Sequence, residues 1–182
     1  MRRFTFLILA IAIILQANSI FAWNARHTLK TLSKTSPLIM IGEVSQVFSR
    51  IENKKGREVV YTYVKISVKS VLKGKLDKSD LTVKMLGGRA GNKGGWSEEL
   101  FQFKKDEEAL LFLHSDDKGN NVWKINSISG KLPIIANNSV KQFDCSRLKP
   151  EDVSQYKGSP YFKQEVIINR IKNYIQDQKG GN

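Results

Sequence analysis

Between Glu58 and Leu72 the chain alternates with a period of two: Val60, Val64, Ile66, Val68 and Leu72 fall on one face, Tyr61, Tyr63, Lys65, Ser67 and Lys69 on the other. Only a half-buried strand hides one such set and wets the other. What flanks it extends the pattern. Leu38-Ile39-Met40-Ile41 is a continuous apolar run, interrupted by Gly42 and resumed at Val44, Val47 and Phe48. This predicts a long first strand, bent or bulged at the glycine. Asn53-Lys54-Lys55-Gly56 is a hairpin turn between the two. After the turn Lys73-Gly74-Lys75, Leu81, Val83 and Met85 form a third strand with Thr82 and Lys84 outward.

Residues 87–96, GGRAGNKGGW, read as a glycine-rich loop. Ala109 to Leu113 predicts a buried strand, Val122 to Asn126 another, and Leu132 to Ile135 one more, with Pro133 arguing for an edge position. The last periodic segment differs. Ser159-Pro160 is a helix-start signal, and Ile167, Ile171, Tyr174 and Ile175 recur at helical spacing before Gly180-Gly181. Six or so short strands and one terminal helix imply a mainly β fold: a small antiparallel OB-like barrel (about 37–145), a linker (about 146–158) and a C-terminal α-helix (about 160–177).

Residues 1–22 are expected to be a secretory signal peptide. Arg2 and Arg3 precede the apolar run FTFLILAIAIIL, polar Gln16, Asn18 and Ser19 end it, and Ala22 is small enough for the cleavage site before Trp23. An uncleaved anchor wants about 20 apolar residues, and this run is shorter. Cleavage leaves 160 residues, ample for one domain, and no later stretch of membrane-spanning length. Periplasmic or extracellular localisation follows. The leader holds two of the 30 Lys+Arg and none of the 17 Asp+Glu, so the remaining chain has 28 basic residues and a formal charge of +11. Outside the cytoplasm that charge favours acidic partners, although its scatter along the chain also serves solubility. The single cysteine, Cys145, excludes an internal disulfide, so a hydrophobic core must hold the fold.

Three stretches carry a resemblance: LIMIGEVSQVFSR with VYTYVKISVKSVLKG, LTVKMLGGRAGNKGG with ELFQFKKDEEALLFL, and VWKINSISGKLPII. Spanning Leu38 to Ile135, they resemble a group of exported bacterial proteins of unassigned function. The resemblance implies a five- to six-stranded barrel related to the OB-fold, often encoded beside or fused to secreted metalloproteases. Netrin-like domains and tissue inhibitors of metalloproteinases share that architecture. Those inhibitors chelate the protease zinc through an N-terminal cysteine, and here the expected N-terminus is Trp23 with no cysteine near it.

The inventory for catalysis is thin. His27 and His114 are the only histidines, no HExxH or CxxC spacing exists, and the glycine-rich loop lacks the Gly-Lys-Ser/Thr of a phosphate loop. Acid groups such as Glu98-Glu99 and Asp106-Glu107-Glu108 are adjacent in sequence, whereas acid–base pairs face one cleft from separate positions. Neither enzyme activity, a metal nor a cofactor is expected. The one constellation above background is the outward face of the second strand. There Tyr61 and Tyr63 offer stacking surfaces and Lys65 and Lys69 offer charge, with Arg89 and Lys93 of the loop as helpers. Tyrosine is also a good strand former and lysine a protector of exposed strands. The expected function is a non-catalytic binding module, its partner an acidic polymer (polysaccharide or nucleic acid) or a secreted protease.

Overall fold

Two strands of 17 residues, β1 (Leu38–Lys54) and β2 (Arg57–Lys73), pair antiparallel along their whole length. The computed structural model describes residues 26–95, 102–116, 122–137, 139–149, 152 and 159–179; the expected signal peptide, residues 1–22, and the expected cleavage site before Trp23 lie outside them. Lys55 and Gly56 join the two strands with φ of 52° and 78°, the left-handed pair of a type I′ turn, and Asn53 Oδ1 accepts the Gly56 N–H at 3.0 Å. The bend expected at Gly42 is present, with register shifts between Ile41 and Gly42 and again between Val44 and Gln46. A Cβ at Gly42 would lie 2.4 Å from both Ile66 Cγ2 and Met40 Cε, so only glycine admits the close approach.

The bend lets β1 serve two neighbours. Leu38 to Glu43 pairs with β6 (Glu108–Ser115) on the side away from β2. β2 pairs with β3 (Asp80–Leu86), β3 with β7 (Val122–Ile125), and β7 with β6. These pairings close a ring of five strands, β1-β2-β3-β7-β6-β1. All its pairs are antiparallel except β3–β7, which joins strands distant in sequence through Thr82↔Val122 and Val83↔Trp123. The fold is mainly β.

Two cores share the wall of this ring. Inside it lie Met40, Val44, Val64, Ile66, Val83, Leu111 and Leu113. Outside it, Ile39, Leu110 and Phe112 face helix α1 (Leu29–Thr35), strands β8 (Lys131–Asn137), β9 (Val140–Asp144) and β10 (Tyr161–Lys163), and helix α2 (Gln164–Lys179). β6 is therefore buried on both faces, which explains its unbroken apolar sequence.

Several expectations are corrected. The segment before Ser36 contains α1, with Thr28 as its N-cap, Asp152 Oδ2 accepting the Leu29 N–H at 2.7 Å, and Lys73 Nζ donating to the Ser33 and Lys34 carbonyls at 2.7 and 3.0 Å. Pro133 is not on an edge strand: β8 lies between β6 and β9. It pairs with β6 through residues 131–133 and with β9 through 134–137, so the proline, lacking an N–H, falls where one ladder hands over to the other. The C-terminal helix starts at Gln164 rather than 160, because Tyr161–Lys163 first adds β10 to β9 and buries Phe162. The linker is not free of the core either, since Leu148 is buried in the outer cluster. The glycine-rich loop contains a hairpin, β4 (Gly88–Ala90) and β5 (Lys93–Gly95). Among the described residues no helix is long and apolar enough to cross a membrane.

Candidate ligand-binding face

The helical layer covers the β1–β6 side of the ring and the end of β2 at Leu72 and Lys73, leaving the outer wall of β3 and the distal halves of β1 and β2 uncovered by α1 and α2. Registers arrange this wall in rows: Gln46–Lys65–Thr82, then Phe48–Tyr63–Lys84, then Arg50–Tyr61–Leu86. The bulge between Val44 and Gln46 turns Phe48, Arg50 and Glu52 onto the same face as the tyrosines.

Tyr63 is only 4% exposed. Phe48 stacks on it with ring centres 5.4 Å apart and planes 15° from parallel. The Arg50 guanidinium lies 4.2 Å from its ring centre. Lys84 Nζ sits 4.0 Å from the Tyr61 ring centre and 5.3 Å from that of Tyr63. Glu52 ties these groups together. Its Oε1 accepts from Arg50 Nε at 3.1 Å and from the Tyr63 hydroxyl, and its Oε2 accepts from Lys84 Nζ at 2.6 Å. The Tyr63 oxygen in turn accepts from an Arg50 terminal nitrogen at 3.1 Å. Burial opposes ionisation of Glu52, but the hydrogen bonds and charges of Lys84 and Arg50 outweigh it and hold the carboxyl below its ordinary range.

The six residues expected to form one site do not assemble as one. Tyr61, Tyr63 and Lys65 share the outer wall, but Tyr63 is covered and Tyr61 is half-buried under Lys84. Lys69, eight residues from Tyr61 and so roughly 27 Å along the strand, is bound to Glu43 at 2.7 Å, and that hydrogen bond and charge raise its pKa. Arg89 and Lys93 belong to the β4–β5 hairpin. A Cβ at Gly88 would lie 2.1 Å from Thr62 Oγ1 and 2.6 Å from Ser49 Oγ, both on the inner face, so the hairpin lies on the opposite side of the sheet from Tyr61 and Tyr63. Lys93 is also ion-paired to Glu58. A half-open cavity of about 430 Å³ between β5 and the facing residues of β1 and β2 is lined by Ile51, Val60, Leu86 and Lys93 among others.

Phe48, Arg50, Glu52 and Lys84 were missed by sequence reasoning as partners of the tyrosines. The spacing of Phe48, Arg50 and Glu52 at every second residue was the available signal, obscured by the bulge that resets which face each residue takes. Elsewhere, Cys145 is completely buried, and burial together with the charges of Asp144 and Asp152 pushes its thiol up to about 12. Lys131 is buried but held by Glu107 at 2.7 Å, by the Gln102 carbonyl at 2.7 Å, and over the Phe103 ring. Among the described residues no group of three or more His, Cys, Asp or Glu side chains is placed to hold a metal ion. No family model matches the chain, and no curated protein matches it.

Proposed function

We propose that this chain is an exported, non-catalytic binding module that takes acidic polymers on the outer wall of β1, β2 and β3. One observation carries the reading: the Arg50 guanidinium lies 4.2 Å from the ring centre of a buried tyrosine, with its side chain 58% exposed. A guanidinium held over Tyr63 and hydrogen-bonded by Glu52 is fixed in place, and its exposed surface suits stacking by a planar base or a sugar ring. The exposed Lys65, two rows from Arg50 and one from Tyr63, supplies charge for a phosphate or sulfate. The stacking platform is thus the arginine, and the tyrosines are its foundation. The closed five-stranded ring supports reading the fold as an OB-like barrel, in which this wall is the one that takes polymers.

The test is binding of heparin and of single-stranded DNA at low and moderate salt. Lys65→Ala should weaken binding and lower the salt slope by about one. Arg50→Ala should weaken it further, through lost stacking. Lys69→Ala should leave it unchanged, because that amine is occupied by Glu43. Equal affinity of the wild type and an R50A/K65A variant would refute the assignment. Export is tested separately: the secreted protein should begin at Trp23 in a mass spectrum, and retention of Met1 in membranes would mean an anchor.

A further inference from the structure

Beyond Val44, β1 has a hydrogen-bonded strand neighbour on one side only among the described residues. The carbonyl of Glu107 takes the Val44 N–H, and the Asp106 N–H takes the Val44 carbonyl, after which Ser45 to Asn53 form no backbone bond on that side with any of the described residues. The direction of the free groups can be worked out. On β2, the Val60 carbonyl bonds Gly87 and the Val68 N–H bonds Ser79, so the even-numbered residues of β2 point away from β1. Their opposite numbers in an antiparallel pair do the same. Val47 faces Val64, Ser49 faces Thr62 and Ile51 faces Val60. Val47, Ser49 and Ile51 therefore present their N–H and C=O groups to the open edge.

This edge is self-complementary. Reading Ser45-Gln46-Val47-Phe48-Ser49-Arg50-Ile51-Glu52-Asn53 against a second copy antiparallel about Ser49 sets Val47 opposite Ile51, Phe48 opposite Arg50, Gln46 opposite Glu52 and Ser45 opposite Asn53. Val47 and Ile51 are exposed large apolar residues, at 38% and 39%. In this register each covers the other. The three residues with outward backbone groups exchange both of them across the axis, and Phe48 meets Arg50 at the closer, non-hydrogen-bonded position. No proline and no lysine lie between Ser45 and Asn53, and the two charges of the stretch, Arg50 and Glu52, are engaged with each other and with Tyr63 and Lys84 on one face.

We infer that the β1 edge is a homodimer interface, in which two copies pair antiparallel about Ser49 and close into a twofold-symmetric dimer. An unrelated extended peptide would find the same backbone groups but not the matched side chains. The assignment does not depend on the ligand proposed above.

The register gives a charge-swap test by sedimentation velocity over a concentration series. The wild type should form dimers. V47K/I51K places lysine opposite lysine at both symmetric positions and should weaken self-association roughly tenfold or more. V47K/I51E disturbs the same two positions but places lysine opposite glutamate, and should restore the dimer. Circular dichroism and thermal melts establish that both variants fold. A monomeric wild type at every concentration would overturn the inference, as would equal self-association of the two variants.

Discussion

The guanidinium of Arg50 lies 4.2 Å from the ring centre of Tyr63, and both groups hydrogen-bond the same carboxylate oxygen of Glu52. The tyrosine thus does two jobs that substitutions separate. Tyr63→Phe keeps the ring under Arg50 and removes only the hydroxyl, which should cost about 1 kcal/mol. Tyr63→Ala removes a ring packed by Phe48, Arg50 and Lys84, and should cost about 3–5 kcal/mol. Urea denaturation measures both; equal losses would mean that the ring is not buried as described.

Glu52 makes stability depend on pH with a definite sign. Its ordinary value is 4.5 and the folded value lies lower. The unfolded chain therefore takes up this proton first as pH falls. The contribution is complete above 4.5 and disappears as pH drops through the folded value. Glu52→Gln should be less stable than wild type near neutrality, and the gap should shrink in acid. A gap that stays constant across the carboxylate range would dismiss Glu52 as the source.

Gly88 and Gly91 both have positive φ, 112° and 60°, yet they differ in what surrounds them. Gly91→Ala meets nothing within 4 Å and should cost only the left-handed backbone penalty, about 1–2 kcal/mol. Gly88→Ala drives a methyl into the Ser49–Thr62 hydroxyl pair as well, and should cost more while detaching the β4–β5 hairpin. Proteolysis within that hairpin, compared between the two variants, would show the difference.

Helix α2 buries Ile167 and Ile171 at 1% and 0% exposure against the outer core. Ile171→Ala should lose about 2–5 kcal/mol, whereas the exposed neighbour Lys172→Ala should change stability by no more than about 0.5 kcal/mol. Thermal melts that fail to separate these variants would make the helix a detachable appendage.

Where burial on one face dictated a residue pattern, the fold was legible. The alternation along β2 as far as Val68, the bend at Gly42, the turn at Lys55-Gly56 and the apolar stripe of α2 all carried such a pattern, whereas Leu72, expected on the face of Val68, lies past a register shift and packs on the outer core. Short elements with tertiary partners were not. α1 has seven residues and depends on Asp152 and Lys73 from elsewhere, and β10 exists because β9 offers it an edge. Pro133 misled because the edge rule concerns one N–H, and β8 changes partner at that residue. The site was half legible. Tyr61, Tyr63 and Lys65 were placed on one wall, but their partners on β1 sit past a bulge that shifts parity by one, which no local periodicity records.

β6 gives its odd-numbered side chains, such as Leu111, to one core and its even-numbered ones, such as Phe112, to the other. Neither core can melt without stripping half of this strand, so heat or denaturant should meet a single cooperative block, and the amide protons of Leu110 to Leu113 should be its slowest to exchange. The distal half of β1 makes its backbone ladder with β2 alone among the described strands, and its other ties are side-chain ones: Glu52 to Lys84 of β3, and Ser49 against Gly88 of β4. The Arg50 platform is thus braced by side chains where the body is braced by ladders on both sides.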